Sequence, residues 1–317
     1  HADIGDYTTV LMQGSGTFGV ESVLSGVISS TDKVLVLQNG AYSKRMVEMC
    51  DYHGIKYVVY EEDYAHVPDP AIVEDVLKSD GNITHISIVH RETTSGLLND
   101  IAVIGELAKK YNKKFIVDAM SSFGGVDINV PELGITYLVS SANKCIQGVP
   151  GFSFIIAKVS DLKQTKGIAR SLSLDLYAQW ETMEKDGGKW RFTSPTHVVA
   201  AFSQALKELA AEGGVTARNA RYTATNRALR KGMEELGFKA YIDEAHQGPI
   251  ITTFFYPENC KFTFAKMYAY LKDHGYVIYP GKLTDAETFR LGNIGEIYMD
   301  DVEKILGIFK DFVRAEN

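Results

Sequence analysis

The sequence predicts an α/β protein, with a mostly parallel seven-stranded sheet flanked by helices and a smaller C-terminal α+β domain. Over the first 160 residues, short β-branched runs alternate with helix-like stretches. Those runs are almost continuously apolar, which is typical of parallel strands covered on both faces. After Gly237 the pattern changes to strands separated by a helix. At roughly 100–200 residues per domain, we expect a large domain over residues 1–230 and a small one over 231–317.

The large domain is predicted from seven apolar runs and the helical patterns between them. The strands are expected near Thr8–Gln13, Lys33–Gln38, Lys56–Tyr60, His85–His90, Lys114–Asp118, Thr136–Ser140 and Phe152–Ala157. The helices are expected near Phe18–Ile28, Tyr42–His53, Pro70–Lys78 and Ile101–Tyr111. Asp69 before Pro70 is a typical helix start, and Asp100 is a second expected cap.

The remaining elements follow a helix that we expect to begin at Ser194-Pro195. Its apolar positions share one face, and Gly213-Gly214 ends it. A charged helix is predicted from about Arg218 to Leu236. The small domain then consists of strands separated by a helix, in the segments Ile250–Tyr256, Phe264–His274, Val277–Tyr279 and Phe289–Asn293.

Composition and charge exclude several classes of function. The chain is 45% hydrophobic and 23% charged, and its net charge of −7 does not favour nucleic acid or an anionic membrane as a partner. No apolar run approaches the roughly 20 residues that span a bilayer, and we expect no secretory signal segment. Three separated cysteines (Cys50, Cys145 and Cys260) indicate neither a disulfide framework nor a metal cluster. We therefore expect a cytoplasmic location.

Asp118 and Lys144 each follow an apolar run, as does His90. In parallel sheets, ligands gather at the carboxyl ends of the strands. A buried carboxylate and a semi-buried amine at such ends suit pyridoxal phosphate. The amine forms a Schiff base with the cofactor aldehyde, and the carboxylate keeps the ring nitrogen protonated. Taken singly, either residue is also compatible with a turn aspartate or a surface lysine.

The glycine-rich turn Gly14–Gly19 follows the first strand and opens a helix. It matches the dinucleotide fingerprint, but that fingerprint also expects an acidic residue after the second strand. The segment Leu37–Gly40 has none, which disfavours a nicotinamide-dependent dehydrogenase. Backbone N–H groups at a helix start, with the hydroxyls of Ser15 and Thr17, can hold a single phosphate. A turn that binds nothing is the remaining alternative.

Several segments together resemble a known family. Ser140–Gly151 and Asp118–Gly125 resemble the lysine and aspartate segments of fold-type I pyridoxal phosphate transferases. Four further segments are similar to the 2-aminoethylphosphonate–pyruvate transaminase family within the class V aminotransferases. They are Arg170–Tyr177, Gly188–His197, Tyr279–Lys282 and Phe289–Glu296. The resemblance runs essentially from Tyr7 to the C-terminus.

The resemblance implies a role for each matching residue of the cofactor site. Lys144 would carry the cofactor and move the proton between the substrate α-carbon and C4′, and Asp118 would pair with the ring nitrogen. The phosphate would be held by Ser15, Gly16 and Thr17. Further cofactor contacts are implied for Tyr42 on one ring face, Met120 on the other, Thr93 at the phenolic oxygen, and Asn143 beside the lysine. A core tyrosine is an equally good interpretation of Tyr42.

Two residues are implied outside that set. Thr193 would reach the phosphate of a neighbouring subunit, so a homodimer is expected; an ordinary helix-capping role is compatible with this. Arg290 would bind the acceptor's carboxylate in a bidentate fork, with a surface ion pair as the alternative. Family members carry roughly fifty residues before the point where this chain starts. That length exceeds a short flexible terminus, so we expect a fragment with an incomplete substrate pocket.

The implied reaction transfers the amino group of 2-aminoethylphosphonate to pyruvate, giving phosphonoacetaldehyde and L-alanine. Two alternatives remain. The protein could be another class V aminotransferase, such as an alanine–glyoxylate type, or an inactive fragment that binds pyridoxal phosphate.

Three further groups of polar residues are candidates for a site. The spacing of His85 and His90 with Asp118 gives no tight cluster, so we expect no metal. We interpret Cys145 as a small buried residue, although a desulfurase-type thiol would also lie near a lysine. Arg170, Lys189 and Arg191 would either attract an anionic substrate or form solvated surface.

Overall fold

The computed structural model describes residues 5–258, 261–281, 283 and 287–316. Cys260 and Lys282 lie outside the described residues.

The first part of the chain alternates strands and helices as predicted. The strands are β1 (Tyr7–Gln13), β2 (Lys33–Gln38), β3 (Lys56–Glu61), β4 (His85–Val89), β5 (Arg91–Glu92), β6 (Leu97–Leu98), β7 (Lys114–Asp118), β8 (Tyr137–Ser141) and β9 (Phe152–Lys158). The helices are α1 (Gly16–Val27), α2 (Ala41–His53), α3 (Pro70–Ser79), α4 (Ile101–Lys110), α5 (Val159–Leu162) and α6 (Leu176–Lys185). The seven predicted strands are confirmed within one residue at either end. Helix α6 was not predicted.

The central sheet has seven strands in the order β1-β9-β8-β7-β4-β2-β3. Strands β3, β2, β4, β7 and β8 run parallel, whereas β9 runs antiparallel to both β8 and β1. The mostly parallel seven-stranded sheet is therefore confirmed. The short strands β5 and β6 form a hairpin beside it. Strands β7 and β8 are neighbours, and Asp118 pairs with Val139.

Helices cover both faces of this sheet. One apolar cluster joins the sheet to α1, α2 and α6, and a second joins its other face to α3 and α4. The caps of α3 and α4 are as predicted. Asp69 accepts a hydrogen bond from the N–H of Ala71, and Asp100 accepts from Ala102 and Val103. These caps satisfy N–H groups that a helix start leaves unpaired.

The second part of the chain contains α7 (Thr196–Glu212), α8 (Gly214–Glu235), β10 (Ile251–Phe255), α9 (Phe264–Asp273), β11 (Tyr279–Pro280), β12 (Thr288–Gly292) and α10 (Met299–Glu316). Its three strands form a separate sheet. Helix α7 begins one residue later than predicted. Gly213 ends it in the left-handed conformation, with φ of 108°. Helix α10 was not predicted, although its buried residues recur at helical spacing: Val302, Phe309 and Phe312.

The predicted domain boundary at residue 230 falls inside α8. Leu229 and Met233 of this helix belong to the apolar cluster of the small sheet. Earlier in the same helix, Arg218 donates a hydrogen bond to the carbonyl of Cys145 in the large part of the chain. The division into two domains stays a prediction. In the part of the chain that is described, no helix combines the length and the apolar character of a transmembrane span.

Candidate active site

A cavity of about 200 Å³ lies where β7 and β8 end and α1 and α2 begin. The residues that line it come from five separate segments of the chain. They are Ser15, Gly16, Thr17, Val20, Tyr42, Arg45, Met49, Val89, Arg91, Thr93, Asp118, Met120, Ser121, Ser141, Asn143 and Lys144. Nine of the residues predicted for the cofactor site are therefore brought together, although they span 130 positions of the chain.

Asp118 is the last residue of β7 and is buried in the cavity wall. Its Oδ1 accepts a hydrogen bond of 2.8 Å from the N–H of Met120. Burial raises the pKa of this carboxyl to about 7, and the nearby charge of Glu92 adds to the increase. The hydrogen bond and the positive charges of Arg45 and Lys144 act in the opposite direction. An ionised Asp118 therefore lacks the close cation that would offset its burial.

Lys144 lies in the turn after β8 and is half-buried. This turn is held by backbone hydrogen bonds from Gln147 to Lys144 and from Gly148 to Ala142. Helix α8 holds it from outside, since Arg218 Nη1 donates to the carbonyl of Cys145 at 2.8 Å. The Lys144 amine has no hydrogen bond or ion pair with any residue that the structure describes. A primary amine on a firmly held turn is thus available to a ligand in the cavity.

The N-terminus of α1 opens on the same cavity. Its N-cap residue, Ser15, makes no side-chain capping hydrogen bond to the described residues. The first N–H groups of a helix carry partial positive charge and need an acceptor. Because α3 and α4 are capped by aspartate side chains and α1 is not, the start of α1 is suited to an anion.

Met120 lies directly against the start of α1. A Cβ atom added to Gly16 would overlap the Met120 side chain, so a larger residue at position 16 would displace it. Asn143 Oδ1 accepts a hydrogen bond from the hydroxyl of Ser141 at 3.0 Å. The structure therefore brings both predicted residues into the wall that contains Asp118 and Lys144.

Helix α2 supplies Tyr42 and is capped from a distance. The buried carboxylate of Glu92 accepts hydrogen bonds from the N–H and hydroxyl of Ser43, both at 2.7 Å, and from the N–H of Tyr42 at 3.3 Å. Gly40 allows this approach, because a Cβ there would overlap Glu92. Burial raises the pKa of Glu92, whereas these hydrogen bonds lower it. The start of α2, unlike that of α1, already has its acceptor.

Two predicted residues do not line the cavity. Thr193 is exposed and lies outside the lining. Arg290 is buried, and its Nη1 donates to the carbonyl of Thr93 while its Nε donates to that of Pro280, both at 3.1 Å. Because Thr93 itself lines the cavity, Arg290 stands immediately behind the wall. Its Nη2 has no hydrogen-bond partner among the described residues.

Two cations of the lining, Arg45 and Arg91, were not predicted from the sequence. Arg45 lies three residues after Tyr42 on α2, a spacing that puts both side chains on one helix face and could have indicated it. Arg91 is fully buried, and its pKa is lowered to about 9 by that burial. Its position in the short strand β5 gave no comparable signal.

Cys145 and the basic set of Arg170, Lys189 and Arg191 do not line the cavity. Cys145 is fully buried, donates to the carbonyl of Ser121 at 3.3 Å, and has a pKa raised by burial to about 11, which does not suit a nucleophilic thiol. Arg170 donates to the carbonyls of Ser25 and Ile28, and the Arg170, Lys189 and Arg191 set lies outside the lining. The idea that this set attracts substrate is therefore not supported.

Comparison with known proteins identifies the family. The profile described as "Aminotransferase class-V" matches residues 4–283. The chain belongs to the class V aminotransferases. The 2-aminoethylphosphonate–pyruvate transaminase of Lysinibacillus sphaericus is 54% identical over 311 residues, covering 98% of this chain and 84% of that protein.

Two further comparisons extend this result. A protein of Clostridioides difficile named bifunctional phosphonoacetaldehyde hydrolase/aminoethylphosphonate transaminase is 56% identical over 307 residues. The match covers 97% of this chain but 48% of that protein, so the chain spans about half of its length. Among solved structures, pyridoxamine–pyruvate aminotransferase from Mesorhizobium loti has a TM-score of 0.89 at 25% identity, covering 97% of this chain and 79% of that one. The fold-type I assignment is thereby confirmed.

The cofactor of this class V aminotransferase is pyridoxal phosphate, and the cavity fits it. The buried carboxylate of Asp118 needs a cation, which a protonated ring nitrogen supplies. The start of α1 offers N–H groups to one phosphate, and the Lys144 amine is available for an aldehyde. No ribose-binding acid is required of such a site, which agrees with its absence after β2.

Proposed function

We propose that this aminotransferase moves the amino group of 2-aminoethylphosphonate to pyruvate, producing phosphonoacetaldehyde and L-alanine. The observation that carries the proposal is that a buried acid, an available amine and an uncapped helix start line one cavity: Asp118, Lys144 and Ser15–Thr17. The donor and acceptor are proposed from the names of relatives that are 54% and 56% identical to the chain.

When bound, pyridoxal phosphate supplies an aldehyde that condenses with amines and a protonated ring that withdraws electrons from the attached carbon. The protein's own residues hold this group and move a proton. Asp118 would keep the ring nitrogen protonated, because an ionised carboxylate at that depth is stabilised by an adjacent positive charge. Ser15, Gly16 and Thr17 would bind the phosphate. Asn143 would support the turn beside the lysine.

Lys144 would act as general base and acid. Its amine would take a proton from the carbon next to the donor nitrogen and return one to C4′. The half-buried position of Lys144 supports this role, because a base that is partly shielded from water keeps its proton within the site. Tyr42 and Met120, which line the cavity, would pack on the two ring faces, and Thr93 would donate to the phenolic oxygen.

Arg290 would bind the carboxylate of pyruvate. A guanidinium fork matches a carboxylate in two parallel hydrogen bonds. Its location just behind Thr93 supports this role, provided that the fork turns from the carbonyls that it now contacts.

A comparison of amino donors tests the proposal. We expect protein supplied with pyridoxal phosphate to form L-alanine from pyruvate and 2-aminoethylphosphonate. The kcat/KM should exceed that for propylamine, which lacks the charged group, by about 30-fold or more, since a hydrogen-bonded charged group contributes about 2 kcal/mol. The readouts are L-alanine and phosphonoacetaldehyde, with glyoxylate as the competing acceptor. A preference for glyoxylate and ordinary amino acids would indicate another class V enzyme, and cofactor binding without any turnover would indicate a non-catalytic protein.

We also propose a homodimer in which Thr193 of one subunit reaches the phosphate site of the other. The exposure of Thr193, immediately before α7, supports this arrangement. We expect a dimer in sedimentation velocity, and Thr193→Ala should weaken pyridoxal phosphate binding about 10- to 100-fold, the worth of one hydrogen bond to a charged group. The exposed Thr31→Ala is the control. A fully active monomer would contradict the proposal.

The cytoplasm remains the proposed location. The described cysteines, Cys50 and Cys145, are free and buried, which is compatible with a reducing compartment. Recovery of the protein outside the cytoplasm on cell fractionation would contradict this.

A further inference from the structure

Arg45 points from α2 into the cavity. It lies one helical turn after Tyr42, and its guanidinium carbon is 5.2 Å from the centroid of the Tyr42 ring. The first turn of this helix is held by the buried Glu92, as described above. Because Glu92 fixes the first turn of α2, Arg45 in the next turn has a well-defined position in the cavity wall.

The guanidinium of Arg45 forms no salt bridge with a carboxylate of the described residues, although its positive charge lowers the pKa of Asp118. Its Nη1 donates one long hydrogen bond, of 3.4 Å, to the hydroxyl of Thr17. Among the residues that the structure describes, Arg45 takes part in no ion pair, whereas Arg218 and Arg221 both pair with Glu212. A half-buried fork with unused donors, beside the phosphate-binding residue Thr17, is suited to an anion.

The other cations near the cavity differ from Arg45 in burial or in partners. Arg91 is fully buried against Gly248; its Nη2 donates to the carbonyl of Ile251 at 3.4 Å, and its Nε and Nη1 have no partner among the described residues. Arg290 donates to the carbonyls of Thr93 and Pro280. Lys144 is assigned to the aldehyde. Among these cations, Arg45 is the one that contacts Thr17 at the start of α1, and its planar donors match the oxygens of a phosphoryl group.

We infer that Arg45 binds a tetrahedral phosphoryl dianion in this cavity. The dianion is either the phosphate of the cofactor or the phosphonate of the amino donor, and the second source rests on the proposed function. The hydrogen bond to Thr17 supports the first source. Donor chemistry supports the second, because the phosphorus of 2-aminoethylphosphonate lies three bonds from its nitrogen, whereas the carboxylate carbon of alanine lies two bonds away. Two anions at different distances call for two separate cations.

Binding measurements on Arg45→Gln test this inference without requiring turnover. In the first arm, cofactor-free protein is titrated with pyridoxal phosphate and with pyridoxal, which lacks the phosphate. In the second arm, the holoenzyme is titrated with ethylphosphonate and the visible absorption of the cofactor is followed. Lys44→Gln is the matched control, since it removes a positive charge from the exposed side of the same helix. Arg45→Lys keeps the positive charge but not the planar guanidinium. It provides a second variant to measure if Arg45→Gln does not fold.

We expect Arg45→Gln to weaken one phosphoryl probe about 10- to 100-fold, the usual worth of a hydrogen-bonded charge pair. Loss of affinity for pyridoxal phosphate, with pyridoxal unchanged, assigns Arg45 to the cofactor's phosphate. Loss of affinity for ethylphosphonate assigns it to the donor. For the affected probe, Arg45→Lys should lose less affinity than Arg45→Gln. The inference is overturned if both probes bind within 2-fold of the Lys44→Gln control, or if pyridoxal is weakened as much as pyridoxal phosphate. Neither titration requires transamination. The result can therefore be interpreted even if the donor assay shows no turnover.

Discussion

Replacing Lys144 by alanine is expected to abolish transamination. Loss of a general acid–base group alone lowers a rate by about 10²–10⁴-fold, and loss of the covalent attachment to the cofactor adds to that. We therefore expect kcat to fall at least about 10⁴-fold. The fold should persist, because the turn is held by backbone hydrogen bonds and by Arg218 rather than by the amine.

Borohydride reduction followed by peptide mass spectrometry provides the second measurement on this variant. In the wild-type protein, the reduced cofactor should be recovered on the peptide that contains Lys144. The control, Lys163→Ala, removes an exposed lysine outside the cavity and should label normally. Recovery of an equal amount of reduced cofactor from Lys144→Ala, with turnover retained, would show that another amine carries the cofactor.

Asp118→Asn is expected to have the next largest effect. The amide has nearly the same shape but cannot offset a positive charge on the ring nitrogen. Breaking a buried charge pair by removing one partner costs about 3–5 kcal/mol, and 1.36 kcal/mol is tenfold in rate. We thus expect kcat to fall about 10²–10⁴-fold in a steady-state assay. Asp127→Asn, which changes an exposed carboxylate between β7 and β8, should retain activity.

Although Asp118→Asn should lower kcat, it should increase the stability of the cofactor-free protein at neutral and higher pH. Burial raises the pKa of Asp118 from 3.8 to about 7. The folded state therefore holds this proton more tightly than the unfolded state does. The free energy of unfolding should decrease as pH rises from about 4 to about 7, by roughly 1.4 kcal/mol for each unit of pKa difference and on the order of 4 kcal/mol in all.

Denaturation of cofactor-free wild-type and Asp118→Asn protein at pH 4.5 and pH 8 measures this difference. Because asparagine does not ionise, the variant should be the more stable protein at pH 8, and the two should converge at the lower pH. A variant that is less stable at pH 8 would mean that Asp118 already has a cationic partner without the cofactor. That outcome would remove the main argument for its pairing with the ring nitrogen.

The agreement between the predicted and observed strands has a local cause. Each strand of the central sheet is a short apolar run, such as Lys33–Gln38 or Lys114–Asp118, bounded by residues that favour turns. Burial on both faces requires nearly every side chain in such a run to be apolar. The aspartate caps of α3 and α4 are equally local, because a cap contacts N–H groups two or three residues away.

The candidate site depended on a different mixture of signals. Asp118 and Lys144 could be identified from their positions after apolar runs, but the assignment of Tyr42, Met120 and Thr193 came from the family resemblance. Glu92 was not identified, because its hydrogen bonds to Ser43 connect residues 49 positions apart. Arg290 illustrates a third case, since nothing in its local sequence shows that its fork contacts carbonyls behind the cavity wall.

The sequence by itself determined the sheet-forming segments, the positions of the acid, the amine and the glycine-rich turn, and the family. These are encoded by neighbouring residues, because hydrophobic periodicity, capping and turn chemistry act over a few positions. The tertiary structure alone decided the strand order β1-β9-β8-β7-β4-β2-β3, the antiparallel direction of β9, and the meeting of α1 and α2 at one cavity. It also decided that Arg45 has no carboxylate partner among the described residues. Such features depend on which distant segments pack together, and that choice is made by burial of the whole chain.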